Sequence, residues 1–171
     1  VKIFKEQGRL LYKGASEGII YNEITTELGR QWSAVLPDGT IVWLNASSSL
    51  RYPLKFANNE RLVEMQGEAA FKVVHNAAQP FRVKVGKQII EDIGTEFNVK
   101  AYSDDAEIKT TLIEGSASIT TSHSKTVIKA GELSSVDVLT QKNTMSKADL
   151  DIASAWRNGL FSFKDADIKT V

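Results

Sequence analysis

Cysteine is absent from this 171-residue chain. That absence excludes disulfides, thiolate nucleophiles and cysteine-based metal sites together. It does not fix the compartment, since a cysteine-free chain suits cytosol and periplasm equally. An excess of one charge is also lacking: Lys+Arg and Asp+Glu are both 21, so the formal net charge is zero. No basic surplus marks a nucleic-acid footprint, and no acidic block marks a tail. No apolar run reaches the ~20 residues needed to cross a bilayer, and no secretory leader is visible. Histidine is scarce, with only His75 and His123. Neither has a sequence neighbour suited to share a metal ion, so both are read as surface or turn residues. The nucleophile elbow G-x-S-x-G is missing, and so is any phosphate-cradling glycine loop. These gaps argue against a hydrolase, and no cofactor or metal is expected. Asp104, Asp105 and Glu107 make an acidic loop without EF-hand spacing or its central glycine, which reads as a solvated turn.

What the chain does contain is strand. It is 42% hydrophobic and 25% charged, ordinary globular composition, and its length suits one domain or one domain plus a fragment. Phe81-Arg82-Val83-Lys84-Val85 alternates apolar and charged, the period of a half-buried strand. Residues 69–73, 97–102 and 108–113 predict strands in the same way. Shorter runs predict strands at 117–121, 126–129 and 133–138, with early ones at 9–12, 18–21 and 31–36. Turn signals such as Pro37-Asp38-Gly39, Asn58-Asn59 and Gly86-Lys87 separate them. No helical pattern lies between them. The expected fold is all-β, with many short, mostly antiparallel strands and one short C-terminal helix. A two-layer sandwich and a short β-helix-like stack both satisfy that pattern. The run from Leu36 to Pro53 reads as strand, tight turn, strand, polar loop, with Gly39 supplying the positive φ of the turn. Trp43 lies in a stretch apolar on both faces and is read as core. Gly67, Gly115 and Gly131 each fall between two strand-like runs. They read as corners where backbones approach closely, or as ordinary turn glycines.

The end of the chain changes character. Ser146-Lys147-Ala148-Asp149 reads as a capping box with Ser146 at the N-cap. Leu150, Ala153 and Trp156 then recur at helical spacing, and Asn158-Gly159 would stop that helix. Leu160-Phe161-Ser162-Phe163 restarts strand alternation. A start at Val1 and an end in mid-pattern read as a piece of a longer protein. The expected division is an all-β domain over residues 1–145, then a linker helix and the start of a second domain over 146–171. Trp32, Trp43, Tyr52 and Tyr102 offer a different reading, an aromatic sugar-binding face on a carbohydrate-binding β-sandwich module. Against it stand structural roles for Trp43 and Tyr52.

The run Leu36-Pro37-Asp38-Gly39-Thr40-Ile41-Val42-Trp43-Leu44-Asn45-Ala46, continued by Ser48-Ser49-Leu50-Arg51-Tyr52-Pro53, resembles the signature of FecR-type anti-sigma factors. Glu60-Arg61-Leu62-Val63-Glu64 and Gly67-Glu68-Ala69-Ala70-Phe71-Lys72-Val73 resemble the family's E-R-x-V-E and G-E-A-Y-F-E-V. Here Ala70 stands for the usual aromatic and Lys72 for the usual acid. Pro80-Phe81-Arg82-Val83, Gly94-Thr95-Glu96-Phe97-Asn98-Val99 and Thr110-Thr111-Leu112-Ile113-Glu114-Gly115 follow in the family's order, so residues 18–133 are covered. Trp156-Arg157-Asn158-Gly159-Leu160-Phe161-Ser162-Phe163 is similar to the W-x-x-G-x-F-x-F that opens the family's C-terminal domain. That domain is STN-like, resembling the short N-terminal module of secretins and TonB-dependent receptors. The resemblance implies a periplasmic regulator without catalysis, part of a single-pass inner-membrane protein. Its partners would be the signalling domain of a TonB-dependent outer-membrane receptor and an extracytoplasmic-function sigma factor. The second would be reached through an N-terminal cytoplasmic segment. Contacts of this kind use strand edges and aromatic anchors. Trp156, Phe161 and Phe163 are the candidate contact residues, with core packing the other reading for the two phenylalanines.

Overall fold

In the computed structural model the alternation of Phe81–Val85 is realised residue by residue. Phe81, Val83 and Val85 are buried, whereas Arg82 is half-buried and Lys84 exposed. Residues 2–6, 9–13 and 19–159 are described, the first two groups as backbone only. The strands are β1 (Lys2–Glu6), β2 (Arg9–Lys13), β3 (Tyr21–Thr25), β4 (Trp32–Val35), β5 (Ile41–Leu44), β6 (Ser49–Pro53), β7 (Arg61–Lys72) and β8 (Phe81–Val85). They continue with β9 (Gln88–Asp92), β10 (Glu96–Ala101), β11 (Glu107–Glu114), β12 (Ser116–Thr120), β13 (Lys125–Lys129), β14 (Glu132–Asp137) and β15 (Asn143–Lys147). One helix, α1 (Leu150–Ala155), runs into a 3₁₀ turn at Trp156–Asn158. β1 and β2 pair only with each other, and the other thirteen strands form one sheet. Its pairings are antiparallel except β7 with β8.

The long strand β7 organises the sheet. Its first half pairs with β6 and β8, and its second half with β5 and β10. One arm therefore runs β3-β6-β7-β8-β9-β12-β13, and the other runs β4-β5-β7-β10-β11-β14-β15. Twelve residues of straight strand would span about 40 Å. Yet Arg61, at the start of β7, donates a hydrogen bond of 2.8 Å to the Val74 carbonyl just past its end. The strand has folded back on itself, and the two arms face each other as the layers of a sandwich. The apex is Gly67, at φ 84. A Cβ there would lie 2.7 Å from Ser48 Cα and 2.8 Å from the Ser47 carbonyl oxygen, so only glycine lets the backbones meet. Gly115 makes the same kind of corner between β11 and β12, pressed against the backbone of Gly94. Gly131 has open space around it and is a turn glycine.

One buried apolar cluster fills the space between the arms. At its centre Phe71 of one arm stacks on Phe97 at 5.1 Å and meets Phe81 of the other arm at 6.0 Å. Opposite the Gly67 apex, a buried ion pair holds the arms together. The turn Pro37-Asp38-Gly39 closes with Gly39 N–H to Leu36 carbonyl at 2.9 Å and Leu36 N–H to Thr40 carbonyl at 2.8 Å, with Gly39 at φ 88. That geometry is a three-residue hairpin loop. It presents the Asp38 carboxylate to Arg61 Nη1 at 2.5 Å. Arg61 is only 1% exposed and also donates to the Gln79 carbonyl at 2.7 Å. The Asp-Gly turn and the Glu-Arg motif, 23 residues apart, thus meet in one clasp.

Four expectations are corrected. The segment after Leu44, expected as polar loop, contains strand β6, because Leu50 and Tyr52 alternate into the core among the serines. Strands β1, β9 and β15 have no counterpart among the strands expected from sequence. Ser146 is not an N-cap: it lies in β15 opposite Leu133, and Asp149 caps α1 by accepting from the Ile152 N–H. Trp43 is not core. Val42 and Leu44 fill the inner side of β5, so the pleat turns Trp43 to the outer face, where it is half-buried. The stop at Gly159 is as expected, with φ 69. Among the described residues no helix is long and apolar enough to cross a membrane.

Candidate functional site

Strand register lines up Trp43, Ala70 and Asn98 across three neighbouring strands of the second arm. The next row holds Lys72, Glu96 and Glu114. Residues two apart in a strand share a face, so Glu68 joins the same outer surface. α1 and its 3₁₀ turn lie across this surface. The Trp156 indole N–H donates to Asn98 Oδ1 at 3.2 Å. The Asn98 amide donates to Glu68 Oε1 at 2.9 Å, and the Asn45 amide to Glu68 Oε2 at 2.8 Å. Gln31 Nε2 donates to the Trp156 carbonyl at 2.9 Å. Arg157 Nη1 pairs with Glu96 Oε1 at 2.7 Å, and its guanidinium lies 5.2 Å from the centre of the Trp43 ring. Ala70 is fully buried although the pleat turns it outward, because the helical segment covers this face.

The electrostatics explain why an arginine sits here. Glu96 stands in a row with Lys72 on one side and, across a register shift, Glu114 on the other, and like charges across a strand pair repel. Arg157 adds a second cation beside Glu96, and the ion pair is well covered, with side chains 16% and 17% exposed. A cation over an aromatic face adds about 0.5–2 kcal/mol, more when desolvated.

The other candidates do not converge. Trp32 pairs with Leu44 and Ser33 with Trp43, so the two indoles point to opposite faces. Tyr52 is 5% exposed in the core. Tyr102 donates its hydroxyl to the Ala46 carbonyl at 3.0 Å, and burial raises its pKa. No aromatic sugar-binding face forms from these four residues. His75 and His123 are both exposed. Asp105 accepts from the Tyr102 N–H at 3.3 Å within its turn. Among the described residues no three His, Cys, Asp or Glu side chains gather to hold a metal ion. Asp92 is a buried acid whose pKa is raised by desolvation, with opposing help from the Thr95 hydroxyl and the Gly94 N–H. Phe161 and Phe163 lie outside the described residues. Glu68, Glu96, Asn98 and Arg157 were not singled out from sequence. Their signal was spacing: Glu68 with Ala70, and Glu96 with Asn98, are i, i+2 pairs on one strand face.

The arrangement defines an all-β domain whose outer polar surface holds a stretch of its own chain. The chain belongs to the FecR family: the model described as FecR protein matches residues 22–118. It is similar to a protein from Parabacteroides distasonis assigned as an anti-sigma factor, in a crystal structure at 2.50 Å, with 31% identity and a TM-score of 0.82. That match covers 88% of this chain and 71% of the other. A second crystal structure from the same organism, also assigned as an anti-sigma factor and solved at 1.65 Å, has 32% identity and a TM-score of 0.81. It covers 86% of this chain and 70% of that one. No curated protein matches significantly. The family is a regulatory one. Its signature residues Asp38 and Gly39 serve here as scaffold, in the turn and the clasp.

Proposed function

We propose that this chain is the periplasmic signalling domain of a FecR-like anti-sigma factor. In this reading it belongs to a single-pass inner-membrane protein and performs no catalysis. The signalling domain of a TonB-dependent outer-membrane receptor contacts it, and the state of that receptor is passed to an extracytoplasmic-function sigma factor. The observation that carries the reading is family membership, together with an outer face that already binds a segment of protein. Residues from about 146 onward lead, through Trp156 and the two phenylalanines Phe161 and Phe163, into an STN-like domain that would share in the receptor contact. The means available are an open strand edge and aromatic anchors. The test is a pull-down of the full-length protein against the sigma factor and the receptor signalling domain encoded beside it. Retention of both is expected, and retention of neither overturns the reading.

A further inference from the structure

Among the described residues, four strands of the large sheet have a neighbour on one side only: β3, β4, β13 and β15. Natural sheets guard such edges, often with charge, because unpaired N–H and C=O groups recruit another strand. β13 carries Lys125 and Lys129, β15 carries Lys147, and β3 carries Glu23. β4, which is Trp32-Ser33-Ala34-Val35, carries no charge. It also leaves Trp32 and Val35 50% and 51% exposed. Trp32 shares the inner face with Leu44, and Val35 the outer face with Ile41, so both faces of this edge have apolar surface to cover.

The backbone of the edge has a defined direction. Leu36 donates to the Thr40 carbonyl across the hairpin, so its backbone groups point at β5. That direction alternates along a strand. Ala34 and Trp32 therefore bond toward β5 as well, and the N–H and C=O groups of Ser33 and Val35 face away from it.

The described part of the chain ends beside this edge. Gln31, the residue before β4, donates to the Trp156 carbonyl at 2.9 Å. Gly159, at φ 69, then turns the chain out of the 3₁₀ turn. Leu160 lies four residues beyond Trp156, a reach of up to ~13–14 Å, which is about the length of a four-residue strand. All of β4 is within that reach. Leu160-Phe161-Ser162-Phe163 is uncharged and matches β4 in length. In an extended chain Phe161 and Phe163 share one face and Leu160 takes the other.

We propose that residues 160–163 form one further strand, added to the free edge of β4 and bonded to Ser33 and Val35. It covers Trp32 on one face of the sheet and Val35 on the other. This goes beyond the proposed function: whatever the protein contacts, the chain after residue 163 then departs from the edge of the sheet and not from a free linker. A second copy of the chain pairing through β4 is the other occupant, and the test separates the two.

The experiment is amide exchange of the isotope-labelled full chain, followed by nuclear magnetic resonance at a low and a tenfold higher protein concentration. The Ser33 and Val35 amides should be protected, and equally at both concentrations. Phe161→Pro/Ser162→Pro changes neighbouring residues, so a donor toward β4 is lost whichever of the two faces it. In that variant both amides should exchange about tenfold faster or more, while amides inside β7 stay protected. Phe161→Asp/Phe163→Asp keeps the backbone donors and should accelerate the same two amides, so it carries the test if the proline variant loses β7 protection. Ser33 and Val35 amides that exchange as fast in wild type as in the variants overturn the proposal. So does protection that survives both variants, or that rises with protein concentration, which would assign the edge to a second copy.

Discussion

Arg61→Met is the most informative single perturbation of the fold. The Arg61 guanidinium pairs with Asp38 at 2.5 Å and donates to the carbonyls of Gln79 and Val74 at 2.7 and 2.8 Å. The side chains of the pair are 2% and 12% exposed. Methionine keeps most of the apolar stem but leaves the Asp38 charge without its partner and removes a donor from two carbonyls. Breaking a buried pair from one side costs ~3–5 kcal/mol, and a stranded buried acceptor costs ~1–3 kcal/mol. Asp38 keeps the Thr40 N–H and hydroxyl as donors, which places the sum at the lower end, about 5 kcal/mol. For a chain of this size each kcal/mol moves the melting temperature by ~2–4 °C, so a fall of about 10–20 °C is expected. Arg51→Met is the control. Its pair with Glu64 is 43% and 37% exposed, and such pairs contribute ~0–1 kcal/mol. Urea unfolding followed by tryptophan fluorescence and far-ultraviolet circular dichroism measures both. If Arg61→Met costs no more than Arg51→Met, the clasp does not hold the arms together.

Gly67→Ala should destabilise by ~2–5 kcal/mol, combining a left-handed conformation with a backbone clash, whereas Gly131→Ala should cost only the conformational ~1–2 kcal/mol. Equal melting temperatures for the two would remove the close approach at Gly67 as the reason for glycine. Ala70→Trp should push the segment 150–158 off the outer face, seen as faster amide exchange there with the sheet still protected. Unchanged exchange would mean that Ala70 is not beneath the segment. Asp92 has its folded pKa raised above the ordinary 3.8 by burial, so the folded state holds the proton more tightly than the unfolded one. Stability should therefore fall as pH rises from that ordinary value through the raised one. Asp92→Asn should flatten that step in urea midpoints taken from about pH 4 to pH 7, and a slope that persists in the variant would refute the assignment.

The strands that alternate cleanly were legible in the sequence: β8, β10 and β11 carry their apolar residues on one face with little interruption. β6 was hidden because Ser47, Ser48 and Ser49 read as loop, while pairing with β3 and β7 made a strand of the residues that follow. β15 was hidden because its exposure leaves almost no alternation, its residues being largely exposed at the sheet edge. Trp43 reads as core from sequence because an apolar run is consistent with two buried faces, and only the packing of the two arms decides that Val42 and Leu44 face inward. The candidate surface was legible only through Trp156. Its other members come from strands β5, β7, β10 and β11, from Gln31 and Asn45 beside β4 and β5, and from Arg157 in the 3₁₀ turn, and no local pattern links Glu68, Glu96 and Arg157. The Asp38–Arg61 clasp shows the same limit. Each motif was visible alone, but their meeting depends on β7 folding back at Gly67.

In the proposed function this domain couples a receptor to a sigma factor through protein contact. The most direct measurement is sigma-dependent transcription in cells that carry the full-length protein, either intact or with residues 19–159 removed, with and without the receptor's inducing ligand. Transcription that follows the ligand in the intact protein and loses that dependence in the deletion is the predicted result. An unchanged ligand response in the deletion would contradict the account.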